Sequence, residues 1–316
     1  FKMATSGAMV VTLKQSTDVP SNQGFINSQQ VDVTTADSSL AAGDYAMIRQ
    51  KIEARDLQHL KYGTSEAEKI TLQFFVKSSK TGTHILELYH YDANYQNAQA
   101  YTISSADTWQ KVTLTFDGYQ TTNFNNDNGT GLGIQWWLAS GSTYSGGTLA
   151  SNTWQNTAAN RAVGQVNVMD NTSNNFYLTG VQLEVGSVAT PFESRSFGEE
   201  ERLCHRYYQR MSRQTGNGFC GVGVGPYNST TAIFIEAVLA TQMRSQPAVG
   251  YSALSDFDLE PYDTAPTALV LHGSGGGSAS NVIRLEATDG TARTKGYCAE
   301  LMIDIEGGYI DFDAEL

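Results

Sequence analysis

The sequence predicts an all-β protein: a jelly-roll β-sandwich, a short connecting α-helix and a second, smaller β-sandwich. Three observations point there. Apolar residues alternate with polar ones through most of residues 1–193, and again after residue 216. Successive side chains on a strand face opposite ways, so this period of two marks strands with one buried face. Polar turns such as KTGT (80–83), DNGT (127–130) and SGGT (145–148) separate these segments, and no long helical pattern alternates with them. That favours antiparallel layers over a parallel α/β sheet. Composition agrees, because charged residues make up only 16% of the chain against about a quarter in typical domains. Ser, Thr, Asn, Gln and 30 Gly fill the shortfall, and they suit the solvent faces and turns of sheets.

In chain order, YAMIRQKIEA (45–54) reads as a strand, and DLQHLKY (56–62) as one or two helical turns at an edge. KITLQFFVKS (69–78) puts Ile70, Leu72, Phe74 and Val76 on one face. HILELYHYD (84–92) follows, with DANYQNAQ (92–99) as a loop after it. WQKVTLTFDG (109–118) aligns Val112, Leu114 and Phe116, and LGIQWWLAS (132–140) aligns Ile134, Trp136 and Leu138 with Gln135 and Trp137 opposite. NFYLTGVQLEV (175–185) completes a set of at least six strands. The pattern then breaks at Gly186 and Pro191, which closes a jelly roll spanning 1–193.

Residues 194–215 differ in kind. Leu203, Cys204, Tyr207, Tyr208 and Met211 fall at i, i+1, i+4, i+5 and i+8, the stripe of an amphipathic helix of about four turns. Ser196 stands as its N-cap with Glu199 three residues on, and acidic residues open the first turn while arginines crowd the end. Residues 216–316 read as the second sandwich, with strands in 218–227, 231–240, 246–252, 268–273, 282–288, 299–305 and 309–316. HGSGGGSASN (272–281) is a hairpin tip between two of them. Ile310 and Phe312 still alternate with acidic residues up to Leu316, as a natural end would, whereas Phe1 in place of Met suggests a piece of a longer polypeptide.

Several function classes drop out. A formal net charge of −12 disfavours nucleic acid, which needs a basic footprint to displace counterions. No apolar run approaches the ~18 residues of a membrane span, so no membrane insertion is expected. Cys204, Cys220 and Cys298 are too few and scattered for a disulfide framework or a zinc site, and read as buried thiols. No G-x-S-x-G elbow, H-E-x-x-H, P-loop or EF-hand occurs, and GVGVG (221–225) lacks dinucleotide spacing. His84 and His90 share a strand face about 20 Å apart, too far for one metal. No catalytic residue is assigned, and the chain is expected not to be an enzyme. NFNNDNGTG (123–131) offers Asp127 and neighbouring amides to a structural Ca2+, but a hydrated turn is the preferred reading and no cofactor is expected.

The aromatics hold more interest, because a pyranose stacks its apolar face on an aromatic ring while its hydroxyls bond nearby amides. Trp137 sits opposite its strand's apolar face, so it is either exposed or covered by a second layer. Tyr89 and Tyr91 share one face of their strand, and Asn94 and Tyr95 follow in the loop. These five are the candidate glycan-binding residues.

Two resemblances then become usable. ITLQFFVKSSKTGTHILELY, YTISSADTWQKVTLTFDG, LGIQWWLASG and FYLTGVQLEVG, in that order, resemble the jelly-roll carbohydrate-binding modules attached to glycoside hydrolases. GVQLEVGSVATPFESRSFGEEERLCHRYYQRM is similar to a segment that recurs in tail fibres and other virion appendages of bacteriophages. SFGEEERLCHRYYQR (196–210) fits its unusual string nearly throughout, and VTTADSSLAAGDYAMIRQKIEARDLQHLKYGT (33–64) extends the likeness over most of the chain. The resemblance implies a virion structural protein, the C-terminal part of a tail fibre or appendage that adheres to a host cell-surface glycan or protein. It implies a homotrimer with Leu203, Tyr207, Tyr208 and Met211 near the threefold axis, joined to other virion proteins through an N-terminal part. The alternatives are the carbohydrate-binding region of a secreted polysaccharide-degrading enzyme, and a head-decoration or shaft protein with a purely structural role.

Overall fold

The computed structural model describes residues 1–216, 218–272 and 281–316. The chain divides into two compact units, Phe1–Glu193 and Ser194–Leu316. The first holds ten strands: β1 (Lys2–Ser6), β2 (Val10–Ser16), β3 (Ser28–Thr35), β4 (Tyr45–Glu53), β5 (Ile70–Ser78), β6 (Gly82–His90), β7 (Tyr95–Ile103), β8 (Gln110–Phe116), β9 (Thr130–Ser140) and β10 (Asn175–Val185). They form two five-stranded antiparallel sheets, ordered β1-β4-β9-β6-β7 and β2-β3-β10-β5-β8, in a jelly-roll sandwich.

The alternation read from the sequence is what builds the core. Ile70, Leu72, Phe74, Val76, Val112, Phe116, Phe176 and Leu178 come from one sheet; Ile48, Leu86, Leu88, Leu132, Ile134, Trp136 and Leu138 come from the other. Trp136 meets Phe74 edge-on with ring centroids 5.7 Å apart, a geometry worth about 0.5–1.5 kcal/mol beyond area burial. The edge segment forms a 3-10 helix, Ala54–Leu60, which buries Leu57 and Leu60. In β10 the register shifts between Thr179 and Gln182, around Gly180 at φ +59°. A Cβ there would lie 2.5 Å from the Phe25 ring, so the bulge needs glycine twice over.

One segment departs from expectation. DANYQNAQ is only in part a loop, because β7 starts at Tyr95 and pairs with β6 along its whole length. The turn is made by the residues before it, with Asn94 at φ +57°. The alternation is hidden because the core-side positions of β7 include Asn97 and Gln99. Asn97 is fully buried against Asn152, and Gln99 donates to the Thr115 carbonyl at 2.7 Å.

The second unit contains the helix Phe197–His205 and strands β11 (Tyr208–Ser212), β12 (Cys220–Pro226), β13 (Ala232–Val238), β14 (Ala248–Tyr251), β15 (Phe257–Glu260), β16 (Pro266–Leu271), β17 (Val282–Asp289), β18 (Cys298–Ile303) and β19 (Tyr309–Asp313). A three-stranded sheet, β11-β19-β14, and a six-stranded sheet, β15-β18-β12-β13-β17-β16, share a core of Ile233, Ile235, Phe257, Leu285, Leu301, Ile310 and Phe312. The hairpin tip expected at 272–281 lies almost wholly outside the described residues.

The helix is shorter than its stripe suggests. Ser196 caps it, its Oγ accepting the Glu199 amide at 3.3 Å, but it ends at His205 rather than running four turns. Tyr208–Ser212 instead pairs antiparallel with β19, Met211 opposite Ile310. YQRMS alternates as well as it spirals, and pairing with β19 satisfies its backbone groups while placing Gln209 and Met211 inward. Arg210 bonds Asp311 at 2.7 Å and lies 3.9 Å from the Tyr309 ring centroid. Leu203, Tyr207, Tyr208 and Met211 therefore do not make one stripe. Leu203 is 40% exposed on the helix, and Tyr207 follows the helix end. Tyr208 donates to Asp311 Oδ2 at 3.0 Å, and Met211 packs on the second core. Nor are the three thiols all buried: all are free, with Cys204 on the helix and Cys298 at the start of β18 both exposed.

Candidate functional site

The outer face of the sheet β1-β4-β9-β6-β7 is where the candidate residues meet. Register sets them in rows across the strands. Arg49 on β4 lies opposite Gln135 on β9, which lies opposite Glu87 on β6. In the next row Lys51 lies opposite Gly133, and Gly133 opposite Tyr89. Gly133 is required for its size, because the Tyr91 ring crosses it and a Cβ would approach that ring to 2.8 Å.

Residues 141–167 return over this face. They are fastened by the reciprocal backbone pair Gln96–Gln155 at 2.8 and 2.9 Å and by Ala162 N–H to the Tyr144 carbonyl at 2.8 Å. This segment delivers Tyr144 and Arg161. The Arg161 guanidinium grips Glu87 with two bonds, Nε to Oε1 at 2.7 Å and Nη2 to Oε2 at 2.9 Å, and reaches Gln135 Oε1 at 3.3 Å. It also lies 4.9, 5.2 and 5.6 Å from the ring centroids of Tyr89, Trp137 and Tyr144. Such cation–ring contacts strengthen as water is excluded. Glu87 is fully buried, and burial pushes its carboxyl above the usual range against the pull of Arg161 and the Trp137 indole N–H at 3.1 Å.

Beside this pair opens a depression of about 290 Å³. Tyr45, Tyr89, Tyr91 and Tyr144 supply rings, and Arg49, Asn94, Gln135 and Arg161 supply polar groups, with Met47 between them. The Tyr89 and Tyr91 rings meet edge-on at 4.9 Å, and the Tyr89 hydroxyl donates to Asn94 Oδ1. Burial raises both tyrosine hydroxyls above their ordinary range, so they remain donors. Rings beside amides and guanidinium groups can stack a sugar face while bonding its hydroxyls.

The structure thus brings Tyr89, Tyr91 and Asn94 together and sets two other candidates apart. Trp137 is completely buried under Tyr144 and Arg161 in a small cluster with Met47, Ile85 and Ala98, so its ring is no exposed platform. Tyr95 projects to the opposite side of its sheet, onto the main core and 5.1 Å from the Tyr119 ring. Sequence reasoning missed Arg49, Glu87, Tyr144 and Arg161. Strand parity places Arg49 and Glu87 on this face, but no periodic signal marks the segment carrying the other two. Elsewhere, Asp127 Oδ1 accepts the Gly129 amide at 2.9 Å and closes its own turn. Among the described residues no group of three or more His, Cys, Asp or Glu could hold a metal, and no helix is long and apolar enough to cross a membrane.

No protein-family model matches the chain, and no curated protein matches it. Among solved structures it is similar to the enzymatically active domain of tailspike protein 4 from bacteriophage CBA120, with 14% identity and a TM-score of 0.32. That match covers 58% of this chain and only 19% of the tailspike chain. It is also similar to the family 11 carbohydrate-binding module of a cellulosomal cellulase from Clostridium thermocellum, with 11% identity over 60% of this chain and 89% of that one, TM-score 0.30. A third similarity, to an N-terminal tandem carbohydrate-binding domain from Paenibacillus barcinonensis, runs over 99% of this chain and 85% of that one at 10% identity and a TM-score of 0.29.

Proposed function

We propose that the first unit binds a saccharide in the Tyr89–Tyr91 depression, without bond-breaking chemistry, and that the chain is part of a phage virion appendage which adheres to the host surface. The observation that supports the saccharide reading is the meeting of two tyrosine rings with Asn94, Gln135 and two guanidinium groups in one open depression. The phage reading rests on the SFGEEERLCHRYYQR string. Each site would be weak by itself, and several copies on one particle would raise the overall hold.

Calorimetric titration with oligosaccharides from host envelopes tests the site. Tyr91→Ala is expected to weaken binding about tenfold in a chain that still folds by circular dichroism, since one stacked ring contributes on the order of 1–2 kcal/mol. Equal affinity for both chains would sink the site assignment. Assembly is a separate question: with Met211 packed inward and Tyr208 bonded to Asp311, Leu203 is the exposed apolar member of the expected interface. Light scattering is expected to give a mass about three times 34.3 kDa. A monomer that still binds soluble polysaccharide would favour a binding module of a secreted enzyme over a fibre.

A further inference from the structure

We infer that the saccharide held in this depression is an acidic one, recognised by Arg49 through a sugar carboxylate; this rests on reading the depression as a saccharide site. The chain as a whole is strongly acidic, with 32 Asp and Glu against 20 Lys and Arg. The lining of the depression inverts that balance, since it holds two guanidinium groups and no carboxylate. Lys51 joins them on the same face, its ammonium 5.3 Å from the Tyr91 ring centroid.

The two arginines differ in what they have left to offer. The charge of Arg161 is answered by Glu87 through two bonds. Arg49 makes no ion pair among the described residues, and its Nε is buried without a hydrogen-bond partner. Most other cations of this unit are paired with a carboxylate: Lys61 with Glu68 at 2.7 Å, Lys69 with Asp117 at 2.6 Å, and Lys14, Lys77 and Lys80 with Asp32, Asp18 and Asp170. A lone guanidinium lining a depression, in a chain that pairs its cations elsewhere, is a charge without an internal partner. The fork geometry of a guanidinium matches a planar carboxylate, and a charge-assisted bond of that kind exceeds a neutral one. The rings of Tyr89 and Tyr91 stand beside it to take the sugar face. Hexuronates combine those two features, a pyranose face and a carboxylate on its ring.

The test titrates the full chain with galacturonate and mannuronate tetramers, their methyl esters, and neutral hexose tetramers. Esterification removes the charge and keeps the ring, so an acid tetramer is expected to bind about tenfold or more tighter than its ester. The preference should narrow between about 50 and about 500 mM NaCl as screening grows. Arg49→Gln should abolish the preference for acid over ester, and Arg49→Lys should keep part of it. If Arg49→Gln does not fold, the acid–ester comparison on the unmutated chain and on Arg49→Lys still decides. Esters and neutral tetramers binding as tightly as the acids would overturn the inference and leave the saccharide site standing. Binding of no tetramer of any kind would overturn both.

Discussion

Replacing Arg161 by Ala is expected to destabilise the first unit by about 3–5 kcal/mol, the range for removing one partner of a buried ion pair. The cause is less the hydrogen bonds that disappear than the charge left behind. Glu87 has no exposed surface, and Arg161 provides two of its three side-chain hydrogen bonds, the Trp137 indole being the third. Without the guanidinium, burial acts on a carboxyl whose range is already raised, with the Trp137 indole left to oppose it. The sign follows from that direction. A carboxyl raised further in the folded state opposes folding wherever the unfolded chain keeps it ionised, and this opposition fades as pH falls and Glu87 takes up a proton. The deficit of Arg161→Ala should therefore be largest at neutral pH and shrink toward acid. Adding Glu87→Gln should recover a substantial part of it, because the neutral amide can be buried at lower cost. Urea unfolding followed by tryptophan fluorescence reads this unit selectively, since Trp109, Trp136, Trp137 and Trp154 all precede residue 194. A deficit below about 1 kcal/mol, or one that grows toward acid, would show that Glu87 is not held as described.

That pair also marks the limit of what the sequence discloses. β5, β8, β9 and β10 were legible because their buried faces are apolar at every second residue, and Tyr89 and Tyr91 were placed on one face by the same parity. β7 was obscured by Asn97 and Gln99 on its core side, polar side chains that donate to Asn152 and to the Thr115 carbonyl where the pattern calls for apolar residues. Parity put Trp137 on the right face of β9 but could not say what covers it. The cover arrives from residues 141–167, where Gly147, Asn160 and the Gln96–Gln155 pairing fix an irregular path. Arg161 meets Glu87 from 74 positions further along the chain, a closure with no local signature. At Tyr208–Ser212 two periods fit one string, and the availability of β19 as a partner decided between them.

Protonation of one buried imidazole is expected to cost the first unit of the unmutated chain about 3 kcal/mol between pH 6.5 and pH 4. His84 has no exposed surface, stacks on Tyr101 at 5.6 Å and lies 6.0 Å from Phe176. Its Nε2 meets the Lys80 carbonyl at 3.1 Å, and its Nδ1 is buried without a partner. Neutral imidazole suits that place and imidazolium does not, so burial lowers its pKa from 6.5 to about 4, with the Lys80 carbonyl opposing only in part. Between those values the unfolded chain binds a proton that the folded chain refuses, so stability rises with pH across the window. It is fully present above 6.5 and is lost as pH falls through about 4. A shift of that size corresponds to about 3 kcal/mol at about 1.4 kcal/mol per pH unit. His90, its pKa lowered by burial, adds a smaller loss of the same sign. Asp18, held down chiefly by its bond to Lys77, acts in the opposite range, since its contribution disappears only below its ordinary value of 3.8. His84→Gln keeps a donor for the Lys80 carbonyl and removes the titration. It should be less stable than the parent at about pH 7.5 yet flatter between pH 6.5 and 4, so that the two curves converge or cross on the acid side. Parallel curves across that window would mean that His84 is protonated in the folded sandwich, and the stacked, half-satisfied imidazole described here would have to be replaced by an imidazolium with its Nδ1–H bonded.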